Sequence, residues 1–174
     1  EARRGWLYPV TPNNQAAVKS FNRHDWNSYH VEAIGNRIRT WVNGIPVADL
    51  MDDADSSGFI AFQVHSVSPE LAGTKVIWRN IRIATENLEK LSWPDTAKIY
   101  QANFIPNTLS KREKADGWKL LFDGVTTGGW RGAHKEIFPE SGWVIEDGCL
   151  KVLASGGAES QAGGDIVTVD QYGN

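Results

Sequence analysis

One cysteine, Cys149, is all the thiol in this sequence of 174 residues. No disulfide can close within the chain, and the redox compartment stays open. No run of about 18 apolar residues occurs, which excludes a membrane-spanning helix. Basic excess is missing as well. The 18 Lys and Arg stand against 21 Asp and Glu, and the net charge of −3 argues against nucleic acid, whose binders carry a basic face. The opening Glu1-Ala2-Arg3-Arg4 is not followed by an apolar stretch, so it is not a signal peptide. There is no Asn-x-Ser/Thr sequon. Zinc-ligand spacing, a Walker A loop, a nucleophile elbow and a GxGxxG turn are all absent.

What is present is aromatic and glycine-rich. Eight Trp and 17 Gly accompany 41% hydrophobic and 22% charged residues, the composition of a folded protein. Trp spread this widely serves as core packing or as stacking surface for flat ligands such as sugar rings. Trp26–Ile34 reads as a strand from its aromatic and β-branched content. Gly35-Asn36 turns it, Arg37–Val42 runs back, and Asn43-Gly44 is the strongest short hairpin signal there is. Ile45–Asp49 follows, with Pro46 marking an edge or a bulge. Phe59–His65 alternates, with Ile60, Phe62 and Val64 facing the core and Gln63 and His65 facing away. Lys75–Ala84 is read as a further strand, with Arg79 among Ile77, Ile81 and Ile83, and Asn80 on the other side.

Residues 86–117 change character. Pro94 and Pro106 interrupt scattered apolar residues, and Ser110-Lys111-Arg112-Glu113 fits a capping box with Gly117 as its stop. This predicts a connector with one short helix at about 110–116. Residues 118–174 return to β signals: Trp118–Phe122, the pair Trp143–Glu146 and Cys149–Leu153 around Asp147-Gly148, and Asp165–Asp170. The fold class expected is all-β, an antiparallel β-sandwich with one short connecting helix.

The ordered series Trp26-Asn27-x-Tyr29, Gly35-Asn36-Arg37-Ile38, Trp41-Val42-Asn43-Gly44, Gly58–His65 and Val76–Ile83 resembles the C-terminal half of a DUF1080 domain, the 3-keto-disaccharide hydrolase family. Gly117–Gly124, Gly129-Trp130 and Trp143–Leu150 resemble the N-terminal half of the same domain. The resemblance implies a concanavalin A-like jelly roll. It also implies three segments: residues 1–85 from the end of a first module, 86–117 as connector, and 118–174 from the start of a second. The order of the halves suggests a tandem protein cut at both ends, with missing strands supplied by the rest of the polypeptide. The rival is one circularly permuted module. A periplasmic or extracellular place in a bacterium goes with the resemblance.

The same resemblance implies a carbohydrate substrate, and hydrolysis or elimination with hydration of 3-keto-glycosides. On that basis His65 is the expected acid or base. Arg79 and Gln63 are expected to hold sugar oxygens, and Trp130, Arg131 and Trp41 to bind substrate. Each has a plainer role open to it: His65 and Gln63 as a solvated polar pair, Arg79 as one half of a salt bridge. Trp143 is a further stacking candidate better suited to the core, and His134 follows Trp130 in the same loop. The carboxylates Glu32, Asp49, Asp52, Asp53, Asp55, Glu136, Glu140, Glu146 and Asp165 show no spacing diagnostic of a glycosidase pair. No cofactor or metal is expected: Asp52-Asp53-x-Asp55 lacks the glycine and distal glutamate of a Ca²⁺ loop. A binding module without catalysis is the alternative function.

Overall fold

The computed structural model describes residues 14–62, 66–96, 99–154, 156 and 163–173. The fold is all-β: successive strands of the meander and both two-stranded sheets pair antiparallel, and the longest helix among the described residues has six residues. The chain divides into two compact units, Glu1–Ala102 and Asn103–Asn174, with the division inside the expected connector.

The first unit is built on a meander of β1 (Tyr29–Ile34), β2 (Arg37–Val42) and β3 (Ile45–Met51). A two-residue β4 (Ala102–Asn103) ends the sheet, in the order β1-β2-β3-β4. The turn residues set the register. Asn43 and Gly44 both have positive φ, 51° and 80°, as a type I′ turn requires. The Asn43 side chain ties this turn to the chain before β1. Its Oδ1 accepts from the Ser28 N–H at 2.8 Å, and its Nδ2 donates to the Ser20 carbonyl at 2.7 Å. Opposite Pro46 the ladder slips: Thr40 pairs Ala48, yet Trp41 pairs Pro46. Pro46 has no N–H to give, so a bulge here costs the ladder least. Helix α1 (Gln15–Ser20), capped by Asn14, is also linked to β3, where Asn14 Nδ2 donates to the Pro46 carbonyl at 3.3 Å.

The covered face of this sheet is its polar one. His30, Glu32 and Ile34 pair with Trp41, Arg39 and Arg37, so these six share one face. That polar face is the covered one: Glu32, Arg39, Trp41 and Asp49 are buried. Tyr29 and Val31 on the opposite, apolar face are exposed, with the Tyr29 ring 5.9 Å from Trp78 and Trp78 4.6 Å from Phe62. The cover on the polar face is the connector, whose Ser92, Trp93 and Gln101 bond to it.

Other expectations are corrected. Residues 58–62 and 75–84 form no strand among the described residues, and Phe59, Ile60, Val76, Ile77, Ile81 and Ile83 are exposed. Asn80 takes a left-handed φ of 57°, which breaks the alternation read through it. Residues 118–122 form no strand either. Alternation reports fitness for a half-buried sheet, but a ladder also needs a neighbouring strand. The described residues give these segments none. Helices α1 and α2 (Leu88–Leu91) add to the single helix expected.

In the second unit the structure follows local chemistry. Helix α3 (Lys111–Ala115) carries the full capping box: Ser110 Oγ accepts from the Glu113 N–H, and the Glu113 carboxylate accepts from the Ser110 N–H at 2.7 Å. Strands β6 (Trp143–Glu146) and β7 (Cys149–Val152) meet at Asp147 and Gly148, both at positive φ. Strands β5 (Trp130–Gly132) and β8 (Ile166–Thr168) form the other two-stranded sheet.

Candidate functional site

The polar face of β1–β3 gathers the densest set of functional side chains among the described residues. Two-residue turns at 35–36 and 43–44 dictate which residues meet. Counting outward from them places Glu32 beside Arg39 and His30 beside Trp41, as observed. His30 Nε2 lies 3.0 Å from Glu32 Oε1, and Arg39 donates to Glu32 Oε2. From the connector, the Ser92 hydroxyl donates to Glu32 Oε2 at 3.0 Å and the Trp93 N–H donates to Glu32 Oε1 at 2.7 Å. Arg39 also donates to Ser92 Oγ at 2.6 Å and to the Trp93 carbonyl at 3.0 Å.

Burial by itself raises the Glu32 carboxyl, since a charge loses water there. The hydrogen bonds from the Trp93 N–H, His30, Arg39 and Ser92 outweigh that and bring it down to about 2. Glu32 is thus a fixed anion near neutral pH and donates no proton. Beside it stand stacked rings. His30 lies flat against Trp93, centroids 4.2 Å apart and planes within 7°. Trp41 is tilted against both, 5.1 Å from each centroid.

Asp49 anchors the neighbouring end. Arg37 holds it in a bidentate pair at 2.9 and 2.7 Å and reaches Asp95 at 2.8 Å. The bond to Asp49 raises the Arg37 guanidinium above its ordinary value, against the lowering effect of burial, and Asp95 adds to the rise. Gln101 Nε2 donates to Asp49 Oδ1 at 3.0 Å, while its buried Oε1 has no hydrogen-bond partner among the described residues. A cleft of about 370 Å³ opens along this face, lined by Arg39, Trp41, Pro46, Asp49, Trp93 and Asp95. That volume lies within the range of small-ligand sites. Among the described residues no group of three or more His, Cys, Asp or Glu is placed to hold a metal ion.

The residues singled out from the sequence are scattered by comparison. Trp41 lies in the cluster, buried under Trp93. His65 and Gln63 lie outside the described residues. Arg79 is exposed, its guanidinium 3.8 Å from the centre of the Trp26 ring. In the second unit, Trp130 Nε1 donates to the Leu121 carbonyl at 2.7 Å. Arg131 donates to the carbonyls of Gly132, Ala133 and Lys135, closing the loop that holds exposed His134. Trp143 Nε1 donates to the Gly164 carbonyl at 2.9 Å, and a side chain at Gly163 would collide with the Ser141 carbonyl beside it.

His30, Glu32, Arg39 and Asp49 were not assigned roles from the sequence. Their signal was the register: two adjacent tight turns in phase with alternating polar residues. Ser92 and Trp93 gave no such signal, because no turn or period links them to the sheet.

A model of the 3-keto-alpha-glucoside-1,2-lyase-like domain matches residues 1–84 and 117–174. A 3-keto-disaccharide hydrolase of Bacteroides thetaiotaomicron is 48% identical over 62 residues, which are 34% of this chain and 21% of that protein. The matched region therefore spans about a fifth of the relative's length.

Proposed function

The chain belongs to the family of 3-keto-alpha-glucoside-1,2-lyase-like domains, and from that premise we propose that it is carbohydrate-active, handling 3-keto-glycosides on the polar face of β1–β3. The relative's name supports the substrate class. A ketone at C3 acidifies the proton on C2. Its removal forms an enolate, which expels the glycosidic oxygen from C1 and leaves a C1=C2 double bond. Water added across that bond completes a net hydrolysis. The protein must supply a base, a cation near the enolate oxygen and a flat apolar wall.

One observation carries this reading: the His30–Glu32 contact at 3.0 Å beside Arg39 and Trp41. Glu32 is held as an anion and faces Nε2, so the ring nitrogen assigned here as the base is the other one, Nδ1. Glu32 orients the base, and Arg39 supplies the positive charge. His65, the base expected from the sequence, is the competing assignment.

The test follows C2 proton exchange and glycoside release from methyl 3-keto-α-glucoside in D₂O by NMR. His30→Asn should lower both about 10²- to 10⁴-fold. Unchanged exchange in His30→Asn, with loss in His65→Ala, moves the base to His65. A binding role without catalysis has one observation in its favour: Glu32 and Arg39 already satisfy each other. Saturable binding with no exchange at C2 would establish it.

A further inference from the structure

The segment that covers the polar face has the chemistry of the ligand that this face is proposed to take. Ser92 offers a hydroxyl that both donates to Glu32 and accepts from Arg39. Trp93 adds an N–H to Glu32, a carbonyl to Arg39 and a flat ring against His30 and Trp41. A hydroxyl that donates and accepts, further polar groups at its rim and an apolar flat face are also what a pyranose ring presents. The sheet side of these contacts lies within the family-matched residues 1–84, whereas Ser92 and Trp93 lie between the two matched segments. The cover is therefore a feature of this chain outside the matched domain.

The flanks of the segment are lightly held. Four-residue helix α2 before it buries no residue, and Asn87 precedes that helix at a left-handed φ of 52°. Pro94 follows. Asp95 holds Arg37 by an ion pair in which Asp95 is more than half exposed, a kind of contact that contributes little.

Resting on the sugar reading above, we propose that Ser92–Asp95 is an internal strap. It occupies the His30–Glu32–Arg39–Trp41 face and must swing away before a 3-keto-glucoside can bind there. The strap sets apparent affinity: if the open form is a tenth of the population, the measured Kd is tenfold weaker than that of the open site.

The test is calorimetric titration of the full chain and its variants with methyl 3-keto-α-glucoside. Trp93→Ala removes the ring and keeps the backbone bonds to Glu32 and Arg39. It should bind about tenfold more tightly than the parent. Asp95→Asn, a milder surface change that keeps the fold if Trp93→Ala does not, should bind about two- to threefold more tightly. In the parent protein the sugar should also speed hydrogen exchange at the Trp93 N–H while β1 and β2 amides stay protected. Equal affinity in all three proteins, with Trp93 exchange unchanged by sugar, overturns the strap and leaves the sugar site standing. No binding by any of the folded proteins overturns the sugar reading and the strap with it.

Discussion

The sheet of the first unit and the turns of the second are held by opposite kinds of contact. In the first, Glu32 and Arg39 are bound by Ser92 and Trp93, residues 53 to 61 positions away. In the second, Asp123 accepts from the Val125 and Thr126 N–H groups two and three residues on, and Ser110 and Glu113 cap each other. Long-range ionic contacts in a buried place are costly to break singly, because the partner left behind keeps its charge without water. Short-range contacts near solvent are replaced by water when lost. The two units should therefore respond very differently to single substitutions.

Arg39→Ala is the largest expected break. It leaves Glu32 buried without its cation and should destabilise the first unit by about 3–5 kcal/mol. Denaturant unfolding followed by Trp fluorescence reads this directly. A loss below about 1 kcal/mol would erase the contrast between the units.

Acid comes next. The Glu32 carboxyl lies near 2 when folded against an ordinary 4.5, so its folded value is depressed. Its contribution is complete above about 4.5 and is lost as pH falls from there toward 2. The loss is on the order of 3 kcal/mol, and it should show as a falling melting temperature across that window. Glu32→Gln should flatten that slope, and a slope unchanged in Glu32→Gln would move its source to other carboxylates.

The smallest effect belongs to the second unit. Ser110→Ala removes the side-chain half of the capping box and should cost about 1 kcal/mol. Hydrogen exchange at the Glu113 N–H should rise in this variant while the β1–β2 amides do not change. Faster exchange in both places would erase the contrast between the two units.

Legibility in the sequence followed the same division. The Asn43-Gly44 and Asp147-Gly148 hairpins, the slip at Pro46 and the Ser110 cap were readable because each is decided by neighbours in the chain. The turns also carried the pairing of Glu32 with Arg39, although spacing along the chain alone did not single out these residues. Segments 75–84 and 118–122 misled, because a period of two reports suitability for a sheet and says nothing about which strand lies alongside. Trp41 was singled out as a candidate stacking ring, yet nothing near it in sequence announced that Trp93 would lie over it.

Composition, turn residues and alternation were enough to determine an antiparallel β protein, its hairpin registers and its family, since those depend on contacts a few residues apart or on an ordered series of local motifs. Which face of the β1–β3 sheet is covered, and by what, was decided only by tertiary structure. The polar face drew in Ser92, Trp93 and Gln101 because its buried charges needed donors and acceptors that no neighbour in the chain could provide.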